Sequence, residues 1–309
     1  MQNWTAAGEI YGLLGHAAAD PLDPGAAPSA PSTPSAPPRV PNTGSRSGSI
    51  DEAALQDPSE SSAFVLVCIA AAISALVVLL WILGTFGGAL VILGFLFLGL
   101  AVQNGLLYGY YRVNAIAVTP TQFPEIHAAA QAFATRLGRS LPEIYVVQDS
   151  IWNAFAARLI GAKVVVLNSA LVDAILLKGD HRELAFIVGH ELGHHYAGHV
   201  GFRHFVANWG GWLIWARLWY SRRCEFTCDR YGLLCAGSLD AAQRAICNMA
   251  VGAQLASRVD IGQARQQWES RRGEFFVRYR ALYSTHPHVL DRLATLERAA
   301  AELSVPTRA

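Results

Sequence analysis

Apolar and polar positions change their rhythm twice along this chain. From Ala63 to Leu83 the residues are almost wholly apolar, with no polar stripe, and no charged side chain stands between Glu60 and Arg112. At about 1.5 Å of rise per residue such a run matches a hydrocarbon core of ~30 Å. The stretch Gly84-Thr85-Phe86-Gly87-Gly88 interrupts it, and a second apolar run continues to about Leu107. The pattern predicts a transmembrane helical hairpin over 63–111, with both ends on one side. A signal peptide would lie near the N-terminus, be shorter and carry a positive flank. A buried helix pair of a soluble protein would show a polar stripe.

Before the hairpin, residues 1–62 form an N-terminal segment and then a Pro/Ala/Ser-rich stretch with eight prolines between Pro21 and Pro41. It has no periodic apolar face to offset the entropy of ordering it, so it predicts a disordered linker. After the hairpin, 112–309 predicts one soluble domain. Residues 124–137 have the period of an amphipathic helix, with Pro124 suited to its first turn. Glu143–Gln148 alternates and is β-branched, as in a strand, and Lys163–Asn168 reads as a second, with Trp152–Arg158 running into it. The remainder has helical spacing, which gives an α+β, mostly helical domain with a small sheet.

Composition agrees with a membrane location. The apolar share of the 309 residues is 52% and the charged share 15%, low for a fully soluble enzyme. A net charge of +1 gives no basic surface for nucleic acid. Arg39, Arg46 and Arg112 flank the hairpin while its tip is uncharged, so the positive-inside rule puts both flanks, and the domain behind them, in the cytoplasm. Five scattered cysteines fit a reducing compartment rather than a disulfide framework. The expectation is an integral membrane protein of a bacterial inner membrane.

The chemistry is concentrated in His190-Glu191-Leu192-Gly193-His194, an HExxH sequence. On a helix, imidazoles four residues apart share a face and can bind one metal ion, while Glu191, about 100° round, stands beside the metal as a general base. Asp180 and Glu183 have capping-box spacing ahead of it. A third ligand is needed. Ala197 and Val200 occupy the positions where a metzincin carries Gly and His, which excludes that arrangement. Glu225 is the candidate, with Asp229 four residues on and able to accept the second N–H of a ligating histidine. Cys224 and Cys228 form a CxxxC pair that offers thiolates instead.

At these residues the chain resembles the membrane zinc metallopeptidases typified by HtpX and the CAAX prenyl protease. The resemblance covers most of 112–297: Asn153-Ala154-Phe155-Ala156, then Glu183–Gly189 leading into the HExxH helix, then Glu225 and Asp229, then Ser284-Thr285-His286-Pro287-His288 with Asp291-Arg292. It implies a zincin-like domain with a small edge-strand sheet and one Zn²⁺ per chain held by His190, His194 and Glu225. Glu191 would be the base, Asn153 would lie on a substrate-pairing strand, and His286 and Arg292 near the scissile carbonyl. Ala157-Arg158 stands where the family usually has Thr-Gly, and Cys228 where it has Ala.

The expected partners are a protein or peptide substrate and the lipid bilayer; oligomeric state and substrate identity are not legible. Membrane-protein quality control and the processing of one peptide both fit. The rival reading is a membrane-tethered binding or adaptor protein with a structural zinc site or an inactive protease fold. Trp209, Trp212, Trp215 and Trp219 predict one side of a single helix, either a membrane-interface helix or an ordinary core helix. His195 reads as structural or surface, and His199 as lying behind the ligands or uninvolved.

Overall fold

The uncharged runs fold as two long helices, α1 (Glu60–Gly84) and α2 (Gly88–Asn114). Gly87 between them has φ +87°, a left-handed turn that a side chain would disfavour. The computed structural model describes residues 50–85, 87–148, 154–176 and 181–308. Most of the linker expected over 1–62, together with Asn153 and Asp180, therefore lies outside the described residues. Residues 50–59, read as linker, are structured. Glu52–Leu55 is a short 3-10 helix whose Leu55 is fully buried, and the Asp57 N–H donates to Thr227 at 2.8 Å. One short turn carries no periodic signal, so long-range packing defines it.

Only one seam of α1 is covered. Ala63, Val67 and Ala70 are buried against α6 (Phe202–Trp209) and α7 (Ile214–Ala236), and Ser74 donates to the Trp209 carbonyl at 2.8 Å. Beyond Ser74, and along nearly all of α2, the large apolar side chains are exposed.

The single tryptophan helix expected from sequence is in fact two helices. Gly210-Gly211 ends α6 after Trp209, and Trp215 and Trp219 belong to α7. The cause is a close approach to α1, since a Cβ on Gly210 would lie 2.6 Å from the Val67 carbonyl oxygen. Trp212, in the turn, donates its indole N–H to the Ala70 carbonyl at 3.1 Å.

After the two apolar helices the described residues form a four-stranded sheet: β1 (Ile116–Ala117), β2 (Glu143–Val147), β3 (Ala154–Leu159) and β4 (Ala162–Asn168), in the order β1-β2-β4-β3. β2 and β4 are parallel, and the other two pairings antiparallel. β3 is thus an edge strand, joined to β4 through Ile160-Gly161 with both φ positive, as a tight hairpin requires. The helices are α3 (Pro124–Arg136), α4 (Ser169–Leu176), α5 (His181–Tyr196), α8 (Leu239–Val251), α9 (Ala253–Ala256), α10 (Ile261–Arg271), α11 (Phe275–Leu282) and α12 (Val289–Glu302). The main core packs Ile126 and Phe133 of α3, Val165 and Leu167 of β4, Phe186 and Leu192 of α5, and Leu233 of α7. The architecture is mostly helical with a small mixed sheet, preceded by two long apolar helices.

The contact that matters most for the site is α5 against α7. A Cβ on Gly189 would lie 2.4 Å from the Cys235 Cβ, and one on Gly232 would lie 2.7 Å from the Phe186 carbonyl. Glycine at these positions lets the two backbones approach closely, which brings Glu225 up to the histidines.

Candidate metal centre

His190 and His194 stand one turn apart on buried α5, with ring centroids 5.3 Å apart. Glu225 on α7 faces both. Its Oε2 is 3.5 Å from His190 Nε2 and its Oε1 is 3.6 Å from His194 Nε2. Ligand atoms of these three residues all lie within 4.8 Å of one another. Donors at 2.0–2.1 Å around a tetrahedral zinc ion are about 3.4 Å apart, so the observed spacing fits one ion with little movement. Cys228 lies instead with His194 and His199, and Cys224 with Glu60 and His199. Burial, first, and nearby carboxylates raise both thiols above their ordinary pKa.

The far side of His190 is held. Its Nδ1 donates to Asp229 Oδ1 at 3.0 Å, which leaves Nε2 turned toward Glu225. Arg292 of α12 grips Asp229 with two bonds, Nε to Oδ2 at 2.9 Å and Nη2 to Oδ1 at 2.6 Å. The guanidinium is thus committed to orienting Asp229, while its residue also lines the cleft. Burial opposes the Asp229 carboxylate, but Arg292 and His190 outweigh it and hold its pKa low.

Charge differs sharply between the two imidazoles. Burial favours neutral His190, yet the hydrogen bonds to Asp229 and Glu225 prevail and lift its pKa to about 10. His194, with no second carboxylate, is dominated by burial and pushed down to about 3. Glu225 is kept ionised by both histidines against the effect of burial. Burial lifts the Glu191 carboxyl to about 7, the charges of His190 and Arg292 opposing it only in part. A carboxyl poised near neutrality beside two histidines that could hold a metal ion is suited to accept a proton and return it.

A cleft of about 430 Å³ opens onto these groups. Ala154–Ala156 of the edge strand form one wall, and His204, Asn208 and Arg217 of α6 and α7 another. Asn153, immediately before that strand, is outside the described residues. His286 stands at the mouth, its side chain 67% exposed and its Nε2 3.7 Å from Glu225 Oε1. Its loop is pinned to α7 where Ser221 donates to the Thr285 carbonyl at 2.9 Å and Arg222 to the Ser284 carbonyl at 2.8 Å.

Between them, two matched segments, 120–213 and 202–300, fit the model of peptidase family M48. The chain belongs to that family. Together the matches run from just before α3 to α12 and cover more than half of the chain. Comparisons with curated proteins and with solved structures found no match. Membership of M48 makes the chain a metallopeptidase by family, and M48 peptidases are zinc-dependent.

The remaining sequence expectations fare differently. His195 is structural, buried with Nε2 3.0 Å from the Val164 carbonyl. Glu183 is buried against α8, where it accepts from Arg244 and Asn248, and its expected capping partner Asp180 lies outside the described residues. Sequence reasoning missed Glu60 and Arg203 altogether. Glu60 is the fully buried first residue of α1, paired with Arg203 at 2.8 Å, and no local pattern shows an acid folding back over 140 positions.

Proposed function

We propose that this M48 member is a membrane-anchored zinc endopeptidase in which His190, His194 and Glu225 hold the ion and Glu191 is the general base. The observation that supports it best is the convergence of two Nε2 atoms from α5 on the two oxygens of one buried carboxylate from α7. When bound, zinc supplies Lewis acidity, polarising a water molecule and the substrate carbonyl.

The chain's own residues do the rest. Among the described residues no strand pairs with the outer edge of β3, where an extended peptide can add as a further strand along the cleft. Asn153 would extend that edge. A Glu191 carboxylate oxygen takes a proton from the water as its oxygen attacks the peptide carbonyl carbon. Glu191 then delivers that proton to the leaving nitrogen as the C–N bond breaks. His286, exposed at the cleft mouth, donates to the carbonyl oxygen as negative charge grows there. Arg292 acts through Asp229 to keep His190 in the ligating tautomer.

Anchoring is supported by the two candidate spans, Glu60–Gly84 and Gly88–Asn114. Their exposed apolar side chains form a surface far larger than water-soluble proteins tolerate. Arginine placement favours cytoplasmic flanks, and with them a cytoplasmic catalytic domain. Quality control of membrane proteins is one use that such a tethered enzyme suits. The domain division proposed is 1–62, 63–111 and 112–309.

Replacing Glu191 by Gln tests the reading. The variant should keep its zinc and lose chelator-sensitive cleavage of casein in detergent, a loss of several orders of magnitude. Undiminished cleavage would remove Glu191 from the mechanism. Zinc with no cleavage in the unaltered protein would favour the adaptor reading.

A further inference from the structure

His190 has an orienting carboxylate behind it, but among the described residues His194 has none on its Nδ1 side. Behind it stands another imidazole. Helix α5 ends in a Schellman turn. The His199 N–H donates to the His194 carbonyl at 2.9 Å, and Gly198 has φ +77°. That turn folds His199 back, so that its Nδ1 lies 3.3 Å from His194 Nδ1.

The protons on these rings are constrained. With the His194 Nε2 lone pair given to the metal, the His194 proton would sit on Nδ1, and His199 Nδ1 would accept it. The His199 proton then sits on Nε2. That atom is buried, makes no well-aligned hydrogen bond among the described residues, and lies 3.2 Å from Glu60 Oε2, at ion-pair distance. Glu60 is itself fixed. Arg203 donates to Oε1 at 2.8 Å and Thr227 to Oε2 at 2.5 Å, with Gln56 at 3.2 Å.

We propose that His199 and Glu60 are positioning residues for the metal centre, forming a second arm, His194–His199–Glu60–Arg203, alongside His190–Asp229–Arg292. Because Glu60 heads α1, this arm ties a ligand's tautomer and orientation to the root of the membrane hairpin. Glu60, His199 and Cys224 are also close enough to suggest a second metal site. Arg203 argues against it, since its guanidinium already balances the Glu60 charge and would repel a cation. Cys228 Sγ, 3.4 Å from His199 Nδ1, competes for the same lone pair only as a weak thiol donor.

The inference rests on the zinc reading above, and the experiment separates the two. Zinc affinity of the full-length protein in detergent is measured by competition with a chromophoric chelator for the unaltered chain, Glu60→Gln, His199→Phe and the double variant. Melting of each metal-free protein and the visible spectrum of its cobalt-loaded form are recorded alongside. Each single substitution should weaken zinc by about 10- to 100-fold and alter the cobalt spectrum, beyond any change in melting. The double variant should bind no more weakly than His199→Phe, because Glu60 acts through His199. Wild-type affinity in Glu60→Gln, or losses that multiply in the double variant, would overturn the arm and leave the zinc site standing. No zinc uptake by the unaltered chain would remove both. Should Glu60→Gln not fold, Glu60→Asp takes its place. It keeps the charge with a shorter reach, so its affinity should fall between wild type and His199→Phe, and equality with wild type would overturn the arm.

Discussion

At the scale of single residues, the site is a problem of placing protons. His190 is held protonated in the metal-free protein by two carboxylates, with a pKa of about 10, whereas a ligating imidazole must be neutral. At the proposed centre, zinc would therefore displace a proton at neutral pH. The sign follows: acid favours the protonated, metal-free form, so apparent zinc affinity should rise about tenfold per pH unit between roughly pH 6 and 9. Calorimetry in buffers of different ionisation enthalpy should read at least about one proton released per zinc. A pH-independent affinity with no proton release would contradict this picture of His190. Arg292 supplies a second check at this scale. Because it grips the buried Asp229 through two bonds, Arg292→Ala should lower the melting temperature of the metal-free protein and weaken zinc by about 10- to 100-fold. Unchanged zinc affinity, with only peptide cleavage reduced, would instead assign Arg292 to the substrate.

Between elements, the decisive contact is the glycine-lined approach of α5 to α7. Inserting a methyl at Gly189, where a Cβ would come within 2.4 Å of the Cys235 Cβ, forces the helices apart at a cost of about 1–3 kcal/mol. Gly189→Ala should lower the melting temperature by several degrees and weaken zinc, since Glu225 moves with α7. Gly94→Ala, in open space on α2, should change neither. Equal behaviour of the two variants would mean that the helix approach does not set the site.

Elements of this kind were only partly legible beforehand. His190, His194, Glu225 and Asp229 could be read because helical spacing puts i and i+4 on one face, and the apolar runs of α1 and α2 could be read from length alone. What could not be read depends on contacts distant in sequence. The break at Gly210-Gly211 comes from α1 pressing on the α6–α7 turn, and so the four tryptophans look like one helix. His199 gains its position from a left-handed Gly198, not from helical period. Glu60 belongs to no motif, and only the fold carries it to Thr227 and Arg203.

For the whole molecule, the question is whether the two long apolar helices anchor the peptidase domain in a bilayer. Ser74, about 21 Å along α1 from Glu60, still contacts the α6–α7 turn. If α1 spans the membrane, that turn and the exposed Trp212 and Trp215 sit beside the apolar phase, and the cleft opens near it. Alkaline carbonate should leave the protein in the membrane fraction, while its release would exclude a spanning hairpin.

The metal's own coordination offers the most direct test. X-ray absorption at the zinc edge of the purified full-length protein should show nitrogen and oxygen neighbours at about 2.0–2.1 Å, with two imidazole patterns and no sulfur. A zinc–sulfur distance near 2.3 Å would hand the third position to Cys224 or Cys228 and contradict the His190–His194–Glu225 centre.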